Sequence, residues 1–346
     1  MIKKEHYGII NNNEISVYTL TNSAGVEVSA TDFGATILKI VVPDAQGNKA
    51  DVVLGYDRLE GYSVENGEFI GCVVAPNGNR IANGTFELNG QRYHLDINNG
   101  PNNLHTHFEL GASKKIMDVE MLEDELVFRC CFADGEAGLP GARMFAVSYR
   151  LDEESRLIIS YSMSSDKDTI FNPTQHSYFN MAGHGSGSIL SQQLQLDADH
   201  FTPVDATLIP TGEIRPVENT PFDFRQMKEI GRDMDMGDEQ LGFGKGYDHN
   251  FAITGYDGTL RYFATLRDPG SGREMLCYTT QPGVQVYTGN YLERADGKDG
   301  VAYQPNGGVC LETQFFPDCV NQPNFVKGLL KAGETQHYQT VYQFRW

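Results

Sequence analysis

Thr85-Phe86-Glu87-Leu88-Asn89-Gly90-Gln91-Arg92-Tyr93-His94-Leu95 alternates apolar and polar residues on both sides of Asn89-Gly90. Alternation at period 2 puts every second side chain on one face of a strand, and Asn-Gly accepts the positive φ values of a type I′ turn. The stretch therefore reads as a β-hairpin, and the same rhythm recurs along the chain. Val147, Tyr149 and Leu151 alternate with polar neighbours, as do Leu157, Ile159 and Tyr161 beyond a loop at residues 152–156. Further strand candidates are residues 37–42, 125–132, 193–197, 262–266, 274–279, 285–288 and 339–344. Helical periodicity is nearly absent, and the best helix candidate is residues 226–233. Many short strands punctuated by Gly, Pro, Asn and Asp, with no βαβ rhythm, predict an all-β sandwich or barrel.

Composition is consistent with this. The 346 residues include 37 glycines, which suits a turn-rich protein, and 40% are hydrophobic, enough for a substantial core. Without an internal repeat or a Pro/Ser-rich linker, residues 1–346 are expected to form one domain. The net charge of −19 repels phosphodiester backbones and anionic lipid, which argues against nucleic-acid and membrane-surface partners. Lys3 and Lys4 are not followed by an apolar segment of the secretory type, and no run approaches the roughly 18 apolar residues of a spanning helix. Cys72, Cys130, Cys131, Cys277, Cys310 and Cys319 are scattered without a C-x-x-C pair, which disfavours a disulfide framework or a zinc site. Reduced, mostly buried thiols in a cytoplasmic protein are the expectation.

Five segments place polar residues in unusually apolar or constrained surroundings: residues 75–81, 102–107, 172–180, 246–251 and 310–315. Glu312 is flanked by Cys310-Leu311 and Phe315-Phe316. Desolvation there would raise its pKa into the range of an effective general base, although a carboxylate on a solvent-facing strand fits the same pattern. His176 lies between Pro173 and Tyr178-Phe179, and an imidazole can donate a proton near neutrality. A structural histidine bonded to a carbonyl fits equally. His105 and His107, two apart, could share a metal on a strand. The cupin-type arrangement of that pair places its acid three or four residues on, whereas Glu109 follows His107 by two. No metal or cofactor is expected. Asp248, between Tyr247 and Phe251, suits a carboxylate at a pocket wall or an ordinary Asx-turn. Taken singly, each of these residues has a plain structural account.

In order, the segments resemble the aldose 1-epimerase family of galactose mutarotases. The resemblance runs from Thr31-Asp32-Phe33-Gly34-Ala35 to Gly333-Glu334. Its most specific strings are Asn172-Pro173-Thr174-Gln175-His176-Ser177-Tyr178-Phe179-Asn180 and Gln281-Pro282-Gly283-Val284-Gln285-Val286-Tyr287-Thr288-Gly289-Asn290, joined by Asn79-Arg80-Ile81, Asn102-Asn103-Leu104-His105 and Leu311-Glu312-Thr313-Gln314. It implies a large β-sandwich of the galactose mutarotase type with a monosaccharide bound in an open cleft, the protein being a monomer or a homodimer. It implies Glu312 as general base, His176 as general acid and His105 beside the ring oxygen. Asn79, Arg80, Asp248, Gln285 and Tyr178 fall at sugar-binding positions. A glycoside hydrolase using Glu312 and Asp248, or a non-catalytic carbohydrate-binding sandwich, are the competing readings. Two departures stand out: Thr106-His107 occupies the place of the family's usual Gly-Gly, and Leu139-Pro140-Gly141 that of Tyr-Pro-Gly. Side chains at 106 and 107 are expected near the sugar, with consequences for sugar preference.

Overall fold

The computed structural model describes residues 2–64, 66–234 and 237–346. Its strands build three principal antiparallel sheets. The first five strands, Ile2–Ile10, Asn13–Thr21, Glu27–Thr31, Ile37–Pro43 and Lys49–Asp51, pair in chain order. A nine-stranded sheet runs, in spatial order, through Asp118–Met121, Glu125–Phe132, Arg143–Leu151, Arg156–Ser165, Thr335–Arg345, Glu274–Thr279, Arg261–Arg267, Gln193–Leu196 and Lys228–Glu229. The third sheet is ordered Arg215–Pro216, His200–Phe201, Asp248–Ala252, Gly283–Tyr287, Cys310–Gln314.

The apolar faces meet in one continuous core. Tyr18, Leu20, Val28 and Ile40 come from the first sheet, and Leu126, Phe128, Val147 and Ile159 from the nine-stranded one. Phe251, Val284, Val286 and Leu311 come from the third. The result is a sandwich, one of the two architectures that alternation allows and the one that the family resemblance implies; each strand's apolar set points inward only in one register. The same inward commitment by residues 284, 286 and 311 turns residues 283, 285, 287, 310, 312 and 314 to the opposite face. That face carries the candidate site.

The Asn89-Gly90 hairpin forms as read. Thr85–Leu88 pairs with Gln91–His94 across Asn89 at φ 53° and Gly90 at φ 76°, both positive as a type I′ turn requires. A Cβ at Gly90 would meet no atom within 4 Å, so Gly90→Ala isolates the backbone effect. It is expected to cost about 1 kcal/mol in urea unfolding, and an unchanged midpoint would contradict the turn assignment.

The helix expected over residues 226–233 does not form. Lys228–Glu229 is an edge strand paired with Gln193 and Leu194, and a turn follows it. Lys228 and Ile230, two apart, both point inward. The Lys228 ammonium is held by the Pro221 carbonyl (2.7 Å) and Asp233 (2.6 Å) over the Phe224 ring. Among the described residues the α-helices are Leu59–Ser63 and Glu239–Gly244, the second capped by Asp238, whose carboxylate accepts from Gln240 and Leu241 N–H. Among the described residues no helix is long and apolar enough to cross a membrane. All six cysteines are free, and five of them are buried.

Candidate active site

Glu312 sits at the middle of Cys310–Gln314, with Gln285 of the neighbouring strand directly opposite and Asn250 opposite Gln285 on the next strand. The register thus lines up a polar row on the outer face. Gln314 donates to Gln285 Oε1 (3.1 Å) and Asn250 Oδ1 (3.2 Å), while Gln285 Nε2 donates to Asp248 Oδ1 (2.7 Å). These bonds fix the carboxamides and leave the two carboxylates as the groups that face outward.

His176 reaches the row from a different segment. Its N–H donates to Cys72 C=O (2.9 Å), and its own carbonyl accepts from Gly71 (3.0 Å). Asn172, four residues earlier, accepts from Phe315 N–H (2.8 Å), so the histidine segment is bonded to the end of the Glu312 strand. Gln281 continues the tie, donating to Pro173 C=O (3.0 Å) and accepting from Thr313 (2.9 Å). The polar positions of the two long motifs are therefore largely spent on joining segments. Their product is a pair: His176 Nε2 lies 3.6 Å from Glu312 Oε2, with both side chains nearly fully buried. His176 Nδ1 lies 3.5 Å from Cys310 Sγ.

His105 stands edge-on to His176, ring centres 5.4 Å apart. Its Nδ1 accepts from the Asn79 backbone N–H (3.1 Å). A nitrogen that accepts cannot carry the proton, so the neutral ring holds its hydrogen on Nε2. Arg80 NH1 lies 3.7 Å from Asp248 Oδ2, and its Nε donates to Asn99 (3.1 Å). Tyr178 donates to Glu68 C=O (2.9 Å) and presents its ring 5.2 Å from that of His176. Glu312, His176, His105, Asn79, Arg80, Asp248 and Tyr178 all line one cleft of about 500 Å³.

Burial sets the protonation. Desolvation pushes Glu312 well above the ordinary carboxylate range; Asp248 adds repulsion and Arg80 opposes it. Desolvation also holds His176 down at about 4, against the attraction of Asp248, and His105 well below its usual value.

The family model of the aldose 1-epimerases matches residues 16–343. The chain belongs to the aldose 1-epimerase family. It is 43% identical to galactose mutarotase of Bos taurus over 92% of this chain and 91% of that protein. It is 32% identical to aldose 1-epimerase of Escherichia coli over 94% of each. Among solved structures, an aldose epimerase homologue from C. elegans superposes with a TM-score of 0.87 at 29% identity, covering 94% of this chain and 98% of that one. Galactose 1-epimerase from Lactobacillus acidophilus superposes at 0.86 and 26% identity, covering 100% and 98%.

Three positions in this aldose 1-epimerase family member differ from a simple cleft lining. Gln285 lies behind Asp248 and fixes its carboxylate rather than forming the cleft wall. Thr106 and His107, expected near the sugar, are not on that wall either. Thr106 is fully buried and turned toward Asn77, while His107 Nδ1 accepts from Glu109 and Leu110 N–H at a turn. Phe69 was not among the sequence candidates. It lines the cleft at φ 56°, a left-handed value uncommon for a bulky residue, with its ring 4.7 Å from that of His105. Asn66 holds this turn by bonding Ile70 N–H (2.7 Å) and C=O (3.0 Å). Only the tertiary contact distinguishes Phe69 from a core aromatic.

His105, His176 and Glu312 also present one potential metal-ligand atom each within 4.8 Å of one another. His2Glu is a donor set found in catalytic zinc sites. Here the Asn79 N–H occupies His105 Nδ1, so Nε2 presents a hydrogen rather than a lone pair. The residues fit a hydrogen-bond donor at this position better than a cation ligand.

Proposed function

We propose that the protein interconverts the α and β anomers of a free aldohexose, such as galactose or glucose, by general acid/base ring opening. The single observation that carries this reading is the buried Glu312–His176 pair at 3.6 Å on the wall of the cleft. Ring opening removes the proton of the C1 hydroxyl as the C1–O5 bond breaks and O5 takes a proton. In the one-proton form of the pair with that proton on His176, Glu312 accepts the first proton and His176 supplies the second. Rotation about C1–C2 then exposes the other face of the aldehyde. In ring closure O5 returns its proton to His176 as it attacks C1, and Glu312 gives its proton to the carbonyl oxygen. The protein ends as it began, and each positioned transfer contributes on the order of 10²–10⁴ in rate.

His105, held as the Nε2–H form, donates toward the ring oxygen without carrying charge. Asn79, Arg80, Asp248 and Tyr178 bind hydroxyls, with Gln285 orienting Asp248. The galactose mutarotase and aldose 1-epimerase names of the relatives support a free aldose as substrate. Hydrolysis of a glycoside by two carboxylates is less well served, because the immediate partner of Glu312 is an imidazole. We place this activity in one unit spanning the chain, in the cytoplasm, with no nucleic-acid or membrane partner. Two-dimensional exchange NMR of α- and β-anomeric protons tests the reading. Cross-peaks between anomers of galactose or glucose are expected at micromolar enzyme, and spectra matching buffer alone would refute it.

The pair works with one proton between its members, so the kcat/KM profile should be bell-shaped. On the acid side a second proton blocks Glu312, and with His176 at about 4 activity should persist through about pH 5 before falling. Asp248 raises both groups. Asp248→Asn is therefore expected to move both limbs to lower pH, besides weakening binding. Limbs that stay fixed or move upward would contradict this arrangement.

A further inference from the structure

Thr106 follows His105 with both backbones in the left-handed region, at φ 65° and 55°. Glycine adopts that conformation freely, whereas a β-branched residue is strained in it. The side chain of Thr106 has a compensating use. Its Oγ1 accepts from Asn77 N–H and donates to Asn77 C=O, both at 2.8 Å, in a fully buried setting. Asn103 Nδ2 donates to the Thr106 carbonyl at 2.7 Å and secures the other end. Two residues along, the same two segments are joined again. Asn79 N–H donates to His105 Nδ1, and His105 N–H donates to Asn79 C=O, both at 3.1 Å. The hydroxyl and the imidazole therefore hang on one short stretch of backbone, residues 77–79. A glycine at 106 would supply neither of the Oγ1 bonds.

We propose that Thr106 is a positioning residue, whose hydroxyl locks residues 77–79 against His105 so that the imidazole stays in its Nε2–H form facing the cleft. The inference rests on the acid/base reading of the site. It concerns how His105 is held rather than whether the reaction occurs. The buried hydroxyl holds this backbone with two directed bonds, and an unpaired Asn77 N–H in the same place would be costly.

Full-length Thr106→Val keeps the shape and removes the hydroxyl, and Thr106→Ser keeps the hydroxyl. Thr106→Gly removes the hydroxyl but also relieves the left-handed strain, which offsets part of the lost bonding. With α-D-galactose, kcat is expected to fall roughly tenfold in the valine and glycine variants while KM stays within about threefold, because ring placement rather than sugar binding is disturbed. The serine variant is expected to keep near-wild-type kcat. Long-range ¹H–¹⁵N spectra of the imidazole should show a single Nε2–H tautomer in wild type and serine variant, and both tautomers in the other two. Wild-type kcat in folded glycine or valine variants, a loss confined to KM or to Tm, or an unchanged single tautomer would overturn the proposal. If the wild type itself gives no rate above the spontaneous one, the acid/base reading fails, and the tautomer spectra still decide the role of Thr106.

Discussion

Glu312→Gln is expected to lower kcat for anomer exchange by about 10²–10⁴-fold, with the folded protein intact. Glutamine preserves volume and hydrogen bonding but cannot accept the C1 proton. The carboxylate is held in a place that favours its neutral form: it is almost fully buried, Asp248 repels its charge, and among the described residues its Oε2 has no hydrogen-bond partner. A neutral amide relieves that desolvation, so Tm should be unchanged or higher. Initial rates and a thermal melt on the same sample check both halves. A variant with more than about a tenth of wild-type kcat would remove Glu312 from the base role.

His176→Asn is expected to produce a loss of similar size, about 10²–10⁴-fold in kcat. Asparagine can still hydrogen-bond but cannot deliver a proton to the ring oxygen. Titration calorimetry with galactose separates this from a binding defect, since the hydroxyl-binding residues are left in place. The dissociation constant should move by no more than about tenfold, a shift of about 1.4 kcal/mol. Combining the two substitutions should cost much less than the product of the single losses, because either one already disables the proton circuit. Full multiplicativity would mean that the groups act independently.

The all-β class was legible because it is written in period 2 with explicit turn residues, whereas the choice of sandwich over barrel came from the longer motifs. Asn89-Gly90 marks a hairpin by itself, and residues 125–132 and 274–279 are strands with the bounds that alternation gives. Residues 226–233 misled because an inward Lys228 paired with Asp233 looks polar in sequence, which disguises a strand-like stretch as a helical face. The first strand escaped for a different reason. Ile2–Ile10 is largely exposed, and its side chains show little contrast between faces.

The candidate site was legible in part. The motifs nominate Glu312, His176 and His105, and the fold brings all three to one cleft. What they cannot convey is direction. Whether Thr106 faces the sugar or Asn77 depends on a left-handed φ and on a segment nearly 30 residues away in sequence. Whether Gln285 lines the cleft or braces Asp248 depends on a side-chain bond across two strands. The tautomer of His105 depends on one backbone N–H, and Phe69 reaches the site through a turn held by Asn66.

The most direct test of the central claim is polarimetry of freshly dissolved α-D-galactose with wild-type protein at neutral pH. A first-order relaxation is expected, with a rate constant that rises linearly with enzyme concentration and the same final rotation as the uncatalysed sample. Relaxation at the spontaneous rate at every enzyme concentration would contradict it.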